Sequence, residues 1–173
     1  MVEITYQMLL STLQTLSLTV GVIYYVMTLR NTRKNQQIQL ETRQAQLFST
    51  IYTLASDMAT IKKWADFNFT WEYEDYDDFM NKYGPITNPE AFSYFMLKSL
   101  QMEGIGVMVK RGLLNIGLIA DTVSGVIVDD WEKVEPIVRE YRIRESYPHF
   151  QEYHEYLYNE IKKYKGEHPE LKT

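Results

Sequence analysis

The chain has 173 residues, of which 45% are hydrophobic and 14% aromatic, and its formal net charge at pH 7 is −5. This length suits one small domain, and the acidic balance argues against nucleic-acid binding, because neutralising phosphates requires clustered lysine and arginine. No cysteine is present, which excludes disulfides and is typical of a reducing compartment.

The first predicted element is the stretch over residues 4–29, which contains no charged side chain. A helix rises about 1.5 Å per residue, so about 20 apolar residues cross the hydrocarbon core of a bilayer. Tyrosines lie near both ends of the stretch, as is typical of membrane interfaces. A signal peptide fits less well, because the start is acidic and no small-residue cleavage site follows. We predict a retained transmembrane anchor over residues 1–29.

Basic residues directly after this stretch predict its orientation. Arg30, Arg33 and Lys34 follow the stretch, so residues 1–37 carry three basic and one acidic side chain, whereas residues 38–173 carry 15 basic and 22 acidic ones. Positively charged flanks stay on the cytoplasmic side of a membrane. We therefore predict a single-pass, integral protein of the cell membrane, with the N-terminus outside and everything after the span in the cytoplasm.

Polar and small residues within the predicted span recur every seven residues. Gln7, Gln14, Gly21 and Thr28 form this stripe. Such stripes let membrane helices approach closely and exchange hydrogen bonds. The stripe indicates a helix-pairing face toward a protein partner or another copy of the chain, although a modestly polar span with chance spacing gives the same pattern.

An amphipathic pattern follows the span over residues 30–66. Leu40, Leu47, Leu54 and Ile61 recur every seven residues, which indicates one apolar helix face. Because the repeat is short, we favour a juxtamembrane helix that covers its own domain over a short parallel coiled coil. At 100° per residue this face is centred about 110° from the polar stripe of the span, so the two faces are expected to serve different neighbours.

Residues 67–173 are predicted to form a helical cytosolic domain of about four helices, and the domain begins with an acidic, aromatic segment. The pattern Asp66-x-Asn68-x-Thr70 matches the start of a calcium loop, but Trp71 stands where that loop needs glycine. We interpret the acidic residues of the segment as a solvated surface that can dock a basic partner. These residues are Glu72, Glu74, Asp75, Asp77 and Asp78.

Two further helices are predicted from their termini. Asn88 can cap the first, Pro89 suits its first turn, and Gly112 can end it after Lys110. The last helix of the chain is predicted over residues 148–165.

The apolar stretch over residues 113–128 is predicted to be a buried helix capped by Asn115. A second membrane span is disfavoured because Asp121 interrupts the stretch. Residues 129–131 are expected to end or bend this helix, and Pro136 to kink the chain or start the following helix, because proline lacks a backbone donor.

The sequence contains no catalytic motif, and no cofactor is predicted. His149 and His154 diverge by about 140° on a helix, which makes a poor metal pair. Glu103 is expected to be buried in a structural ion pair with Lys110 or Arg111. An enzyme remains as an alternative, with a site built in a pocket where four side chains would converge. These are Glu103, Arg111, Asp121 and Trp131.

Four segments carry a resemblance to a known family: QLETRQAQLF, EGIGVMVKRGLLN, DTVSGVIVDDWEKVEPIV and EYLYNEIKK. They resemble a family of uncharacterised prokaryotic proteins with one N-terminal membrane span and a helical cytoplasmic domain of unknown function. The likeness covers most of the chain after residue 36, implies the same architecture, and carries no catalytic signature.

These patterns predict an all-α protein with one transmembrane helix and a small cytosolic helical bundle. The favoured function is a membrane-tethered helical interaction module. A small accessory subunit of a larger membrane complex is the alternative from the same observations.

Overall fold

The computed structural model describes residues 5–171, and all regular structure in this range is helical, which confirms the predicted all-α fold. The first four residues of the predicted anchor and the last two of the predicted domain lie outside this range. The helices are α1 (Tyr6–Ala55), α2 (Met58–Thr70), α3 (Tyr76–Tyr83), α4 (Pro89–Lys110), α5 (Ile116–Arg144) and α6 (Glu152–Glu167), followed by a 3-10 turn at Pro169–Leu171.

The chain divides into two compact units, Met1–Ala45 and Gln46–Thr173. The first unit consists of the N-terminal part of α1, in which every side chain over residues 5–43 is exposed. No proline occurs before Pro85, so nothing in the sequence removes a backbone donor from this helix. Helix α1 is accordingly unbroken over 50 residues.

A break at Ser56 and Asp57 separates α1 from α2. The Asp57 carboxylate accepts hydrogen bonds from the backbone N–H groups of Ala59 at 3.0 Å and Thr60 at 3.3 Å, which caps the start of α2. The amphipathic range 30–66, for which the sequence leaves one helix or two open, contains the end of α1 and the start of α2.

The second unit is a bundle in which α6 packs against both α4 and α5, and α3 packs against α4 and α5. Gly106 permits the close approach of α4 to α6. A Cβ atom at this position would lie 2.1 Å from the carbonyl oxygen of Tyr153. The missing side chain thus sets how closely these two helices pack.

The core of the bundle has an aromatic part and an aliphatic part. Rings from α2, α3, α4 and α5 fill the aromatic part, and branched side chains from α4, α5 and α6 fill the aliphatic part. The buried aromatic members are Phe67, Trp71, Tyr76, Phe79, Phe95, Trp131 and Phe150. The buried aliphatic members are Val109, Leu114, Ile119, Ile127, Leu157 and Ile161.

Only the middle of the apolar stripe predicted after the span packs against the bundle core. Leu47 and Ile51, together with Phe48, pack against the aliphatic core. Leu40 remains 59% exposed and Ile61, on α2, remains 44% exposed. The side chain of Leu54 lies outside the described part of the chain.

Helix α4 begins and ends where predicted, with the Asn88 side chain accepting from the Ala91 N–H and Lys110 as its last residue. Helix α5 also starts as predicted, since Asn115 caps it by accepting from the Gly117 N–H, and one face of its first half is buried in the bundle. The last helix starts at Glu152 instead of residue 148 and runs past Gly166.

The predicted end of α5 near residues 129–131, and a new helix starting at Pro136, are wrong. Helix α5 runs to Arg144 with Pro136 inside it. Trp131, Val134 and Ile137 are each 1% exposed. Burying three such side chains stabilises by roughly 1.5–3 kcal/mol each, which exceeds the roughly 3 kcal/mol cost of an internal proline.

Candidate functional site

The exposed part of α1 is the first candidate site. Large apolar side chains point outward all around the helix over residues 6–29, and none of them is buried. By length and composition α1 is the one helix, among the residues described, that can cross a membrane. The predicted span is therefore an unpartnered apolar helix within the chain.

Five hydroxyl groups in the predicted span are satisfied by carbonyls of the same helix. Thr12, Thr15, Thr19 and Thr28 each donate to the carbonyl four residues earlier at 2.7–2.9 Å, and Ser11 donates to the Met8 carbonyl at 3.0 Å. Such back-bonding removes the need for a partner at these positions.

Three other polar side chains of the helix have no such bond. Gln7, Gln14 and Ser17 form no hydrogen bond within residues 5–171, and Gly21 has open space around its Cα. Gln14, Ser17 and Gly21 line one shallow groove on α1. Of the predicted pairing stripe, Gln14 and Gly21 therefore lie in the groove, whereas Thr28 is already hydrogen-bonded to its own helix.

The basic residues after the span form no salt bridge with the described residues. Arg30, Arg33 and Lys34 are exposed, and none of them forms a salt bridge within the described part of the chain. Their charges remain available to a membrane surface or to solvent.

More carboxylates of the acidic segment form hydrogen bonds and salt bridges within the bundle than the sequence indicates. Asp75 caps α3 by accepting the Asp78 N–H at 2.9 Å. Asp78 binds Lys82 at 2.8 Å, and this hydrogen bond lowers the pKa of the Asp78 carboxyl. Asp77 binds Arg144 at 2.5 Å, so three of the five predicted docking carboxylates stabilise the start of α3 or tie it to α5.

Glu72 and Glu74 are the remaining members of the predicted docking surface. Both side chains are exposed, and neither forms a hydrogen bond or salt bridge with the described residues. They precede α3 in the loop 71–75, beside the ring of Trp71, which stacks on Tyr83 with centroids 4.1 Å apart. The free negative charge of this surface is thus smaller and more localised than predicted.

The structure does not assemble the alternative enzyme site. Arg111 and Asp121 are exposed, whereas Trp131 is buried about 15 Å further along α5. Glu103 forms no ion pair with Lys110 or Arg111 among the described residues; it accepts the backbone N–H of Tyr153 at 2.7 Å, in the first turn of α6. Burial raises the pKa of Glu103, and bonds from α6 backbone N–H groups oppose that shift.

A buried polar network, absent from the sequence prediction, joins α4, α5 and α6. The Lys98 ammonium donates to Asp130 at 2.5 Å and lies 3.4 Å from the ring centroid of Phe67. Gln151 donates to the Ser99 hydroxyl at 2.7 Å and bonds the Nδ1 atom of His154 at 2.8 Å. These bonds form two adjoining groups, Lys98 with Asp130 and Gln151 with Ser99 and His154, and Gln151 is the N-cap residue of α6.

Burial moves the ionisable members of this network toward their neutral forms. It lowers the pKa of Lys98 to about 8 and raises the pKa of Asp130, while the ion pair between them opposes both shifts. Burial, followed by the nearby charge of Lys98, lowers the pKa of His154 to about 3. His154 is therefore neutral at pH 7.

The network is sealed from solvent. Lys98 is 4% exposed, and Asp130 and His154 are fully buried. The Nε2 atom of His154 faces the Oδ2 atom of Asp130 at 3.7 Å, which is too far for a hydrogen bond, and neither atom has another hydrogen-bond partner. A substrate cannot reach these groups, so the arrangement fixes the packing of the three helices.

The bonds of the network offset backbone strain at Gln151. Its backbone adopts the left-handed conformation, with φ of 55°, which costs a non-glycine residue roughly 1–3 kcal/mol. The side-chain bonds to Ser99 and His154 hold it there. One sequence signal for the network existed, since Lys98 follows the apolar run Phe95–Leu97 and its charge would otherwise be buried alone.

The bundle surface carries one small cleft beside α2. Lys63, Asp66, Tyr83 and Tyr94 line it, and its volume is about 220 Å³, below the roughly 300 Å³ of a typical ligand pocket. The Asp66 carboxylate is already bound by Thr70 and by the indole of Trp71. Within residues 5–171 no three His, Cys, Asp or Glu side chains are grouped to hold a metal ion.

Comparison with known proteins places most of the chain in one family. Residues 12–161 match a family described as a domain of unknown function, DUF4760. No curated protein and no solved structure matches the chain.

Proposed function

We propose, for a chain that belongs to the DUF4760 family, the function of a membrane-tethered helical interaction module. The observation that carries this proposal is the uncharged stretch over residues 4–29, whose described side chains are all exposed. Monomeric soluble proteins rarely leave apolar surfaces of this extent in water. A lipid bilayer covers such a helix from every side, which no packing within the described chain does.

The orientation follows from the free basic residues. Arg30, Arg33 and Lys34 are exposed and unpaired with carboxylates in residues 5–171, as a cytoplasmic flank requires. The proposal places the N-terminus outside the cell membrane and the bundle in the cytoplasm.

The interaction surface is assigned to Glu72 and Glu74. Their carboxylates are the ones in the segment that form no hydrogen bond or salt bridge within residues 5–171, and both side chains are exposed. A basic protein segment would find two free carboxylates together at this position.

Single-cysteine labelling tests the tether, because the natural chain contains no cysteine. Glu3→Cys, which precedes the uncharged stretch, should react with a membrane-impermeant maleimide in intact cells. Ile86→Cys, at a position 94% exposed on the bundle, should react only after lysis. Labelling of both variants in intact cells, or release of the wild-type chain by alkaline carbonate, would contradict the proposed topology.

Charge reversal tests the docking surface. The double variant Glu72→Lys/Glu74→Lys should lose any protein that co-purifies with the full-length chain in mild detergent. The matched control is Asp121→Lys/Asp129→Lys, which makes the same charge change at exposed positions of α5. Equal loss of the co-purifying protein in both variants would assign the effect to net charge and contradict the proposed surface.

An accessory subunit of a larger membrane complex is the second candidate function. The unpaired amides of Gln7 and Gln14 favour it, because an amide within a bilayer needs a partner helix. Co-purified membrane proteins that survive Glu72→Lys/Glu74→Lys and are lost on Gln7→Leu/Gln14→Leu would support this alternative.

A further inference from the structure

The groove on α1 combines three features within about two turns of the helix. It contains an unpaired amide at Gln14, an unpaired hydroxyl at Ser17, and the open position of Gly21. At 100° per residue, Gln14, Leu18, Gly21 and Tyr25 fall within about 60° of one another around the helix. They form one continuous face.

The opposite face carries no unmet hydrogen bond. Thr12, Leu16, Thr19 and Ile23 lie about 140–200° away from Gln14 around the helix. Both threonine hydroxyls there bond back to α1 carbonyls, at 2.7 and 2.8 Å. In a bilayer, the groove face would expose polar groups without a partner, whereas the opposite face would not.

We infer that the groove face pairs with the same face of a second copy of this chain, forming a parallel, two-fold symmetric dimer in the membrane. This inference rests on the proposed membrane tether. In the dimer each Gln14 amide donates to and accepts from the Gln14 amide of the other copy, and the small residue Gly21 lets the backbones approach.

The chemistry of the face favours a second copy over a different helix. A carboxamide is both donor and acceptor, so it is complementary to itself. No charge occurs over residues 4–29, so the face needs no oppositely charged partner. All copies share the same basic flank and therefore insert in the same direction, which brings each residue to the depth of its counterpart.

Disulfide trapping of the full chain in native membranes tests the dimer. Leu18→Cys lies on the groove face, and Leu16→Cys is its matched control at nearly the same depth, about 160° away around the helix. Both leucines are exposed on α1, at 71% and 58%. Each variant is expressed with two different tags, so that a disulfide between two copies is identified by capture on one tag and detection of the other.

Leu18→Cys should give a cross-linked dimer under mild oxidation, and Leu16→Cys should give little. Equal yields from both variants, a higher yield from Leu16→Cys, or no dimer from either would overturn the inference. Carbonate extraction of the same membranes separates the two levels: a chain that stays in the membrane without cross-linking refutes the dimer alone. A chain released by carbonate refutes the tether itself.

A second substitution tests the role of the amide. Gln14→Leu in the Leu18→Cys background should lower the cross-linking yield roughly fivefold, as expected for the loss of an interhelical hydrogen bond in a membrane. Gln14→Asn should retain most of the yield, because it keeps the carboxamide. An unchanged yield with Gln14→Leu would show that the amide does not hold the dimer.

Discussion

The two units of this chain treat polar and apolar groups in opposite ways. Over residues 6–29, apolar side chains face outward and hydroxyls fold back onto the helix backbone. In the bundle, apolar side chains face inward, and Lys98 and Asp130 are buried as a pair. The comparison teaches that apolar side chains are buried only where helices pack against one another, whereas buried polar groups need a bonding partner.

The largest effect is expected from breaking the buried ion pair. Asp130→Ala leaves Lys98 buried without its carboxylate and should lower the free energy of unfolding by about 3–5 kcal/mol. Urea denaturation of the purified full chain in detergent, followed by circular dichroism, measures this. The double variant Lys98→Met/Asp130→Leu removes both charges and should lose much less. A loss below about 1 kcal/mol for Asp130→Ala would show that the pair is not truly buried.

The second effect is acid destabilisation through His154. Its folded pKa of about 3 lies below the ordinary value of 6.5, so between these pH values the unfolded chain binds a proton that the folded chain does not. Stability present above pH 6.5 is therefore lost as the pH falls, by about 1.4 kcal/mol per pH unit. Lys98 from α4 and Asp130 from α5 face the imidazole. The raised pKa of Asp130 opposes the loss, because the folded chain takes up that proton first.

Comparing the pH dependence of stability between variants separates the effect of His154 from that of Asp130. Between pH 6.5 and pH 4 the wild-type chain should lose about 3 kcal/mol more stability than His154→Gln. His149→Gln, at an exposed position, should follow the wild-type profile. Parallel profiles for the wild type and His154→Gln would mean that the imidazole is accessible to protons in the folded chain.

Introducing a lysine into each unit tests whether the exposed apolar helix lies in lipid while the bundle surface lies in water. Ile23→Lys should cost about 2.5–3.5 kcal/mol of membrane insertion and raise the fraction of chain released by carbonate. Ile86→Lys, at an almost fully exposed position of the bundle, should leave both insertion and folding unchanged. If Ile23→Lys remained fully membrane-bound, the exposed helix would not be a lipid-facing span.

The smallest effect on stability is expected from replacing two glycines of α4 by alanine. Gly106→Ala forces a methyl group against the Tyr153 carbonyl and should destabilise the bundle by about 1–3 kcal/mol. Gly104→Ala meets nothing within 4 Å and should stabilise it by about 0.5–1 kcal/mol. Thermal denaturation of the two variants distinguishes them, and a stabilising Gly106→Ala would mean that α4 and α6 are further apart than described.

Local signals predicted the elements whose ends are set by nearby residues. Asn88 and Asn115 cap α4 and α5 as expected, because a cap is a contact between residues two or three positions apart. The division of residues 30–66 was harder to see. Asp57 is a good cap, but the apolar spacing continues across it from Leu47 to Ile61.

Signals that depend on distant residues were misread or missed. Pro136 does not start a new helix, because burial of its neighbours on α5 outweighs the lost donor. The pairing of Lys98 with Asp130 joins residues 32 positions apart, which no spacing rule on a single helix can reveal. The acidic segment looked uniformly available, but Arg144 from α5 neutralises Asp77.

The sequence by itself determined the all-α class, the apolar N-terminal helix and the caps, because these depend on hydropathy, periodicity and contacts within one turn. Only the tertiary structure decided which charges are buried and which carboxylates stay free. Those outcomes depend on what lies across from each side chain after the helices have packed, and the chain order does not encode that distance directly.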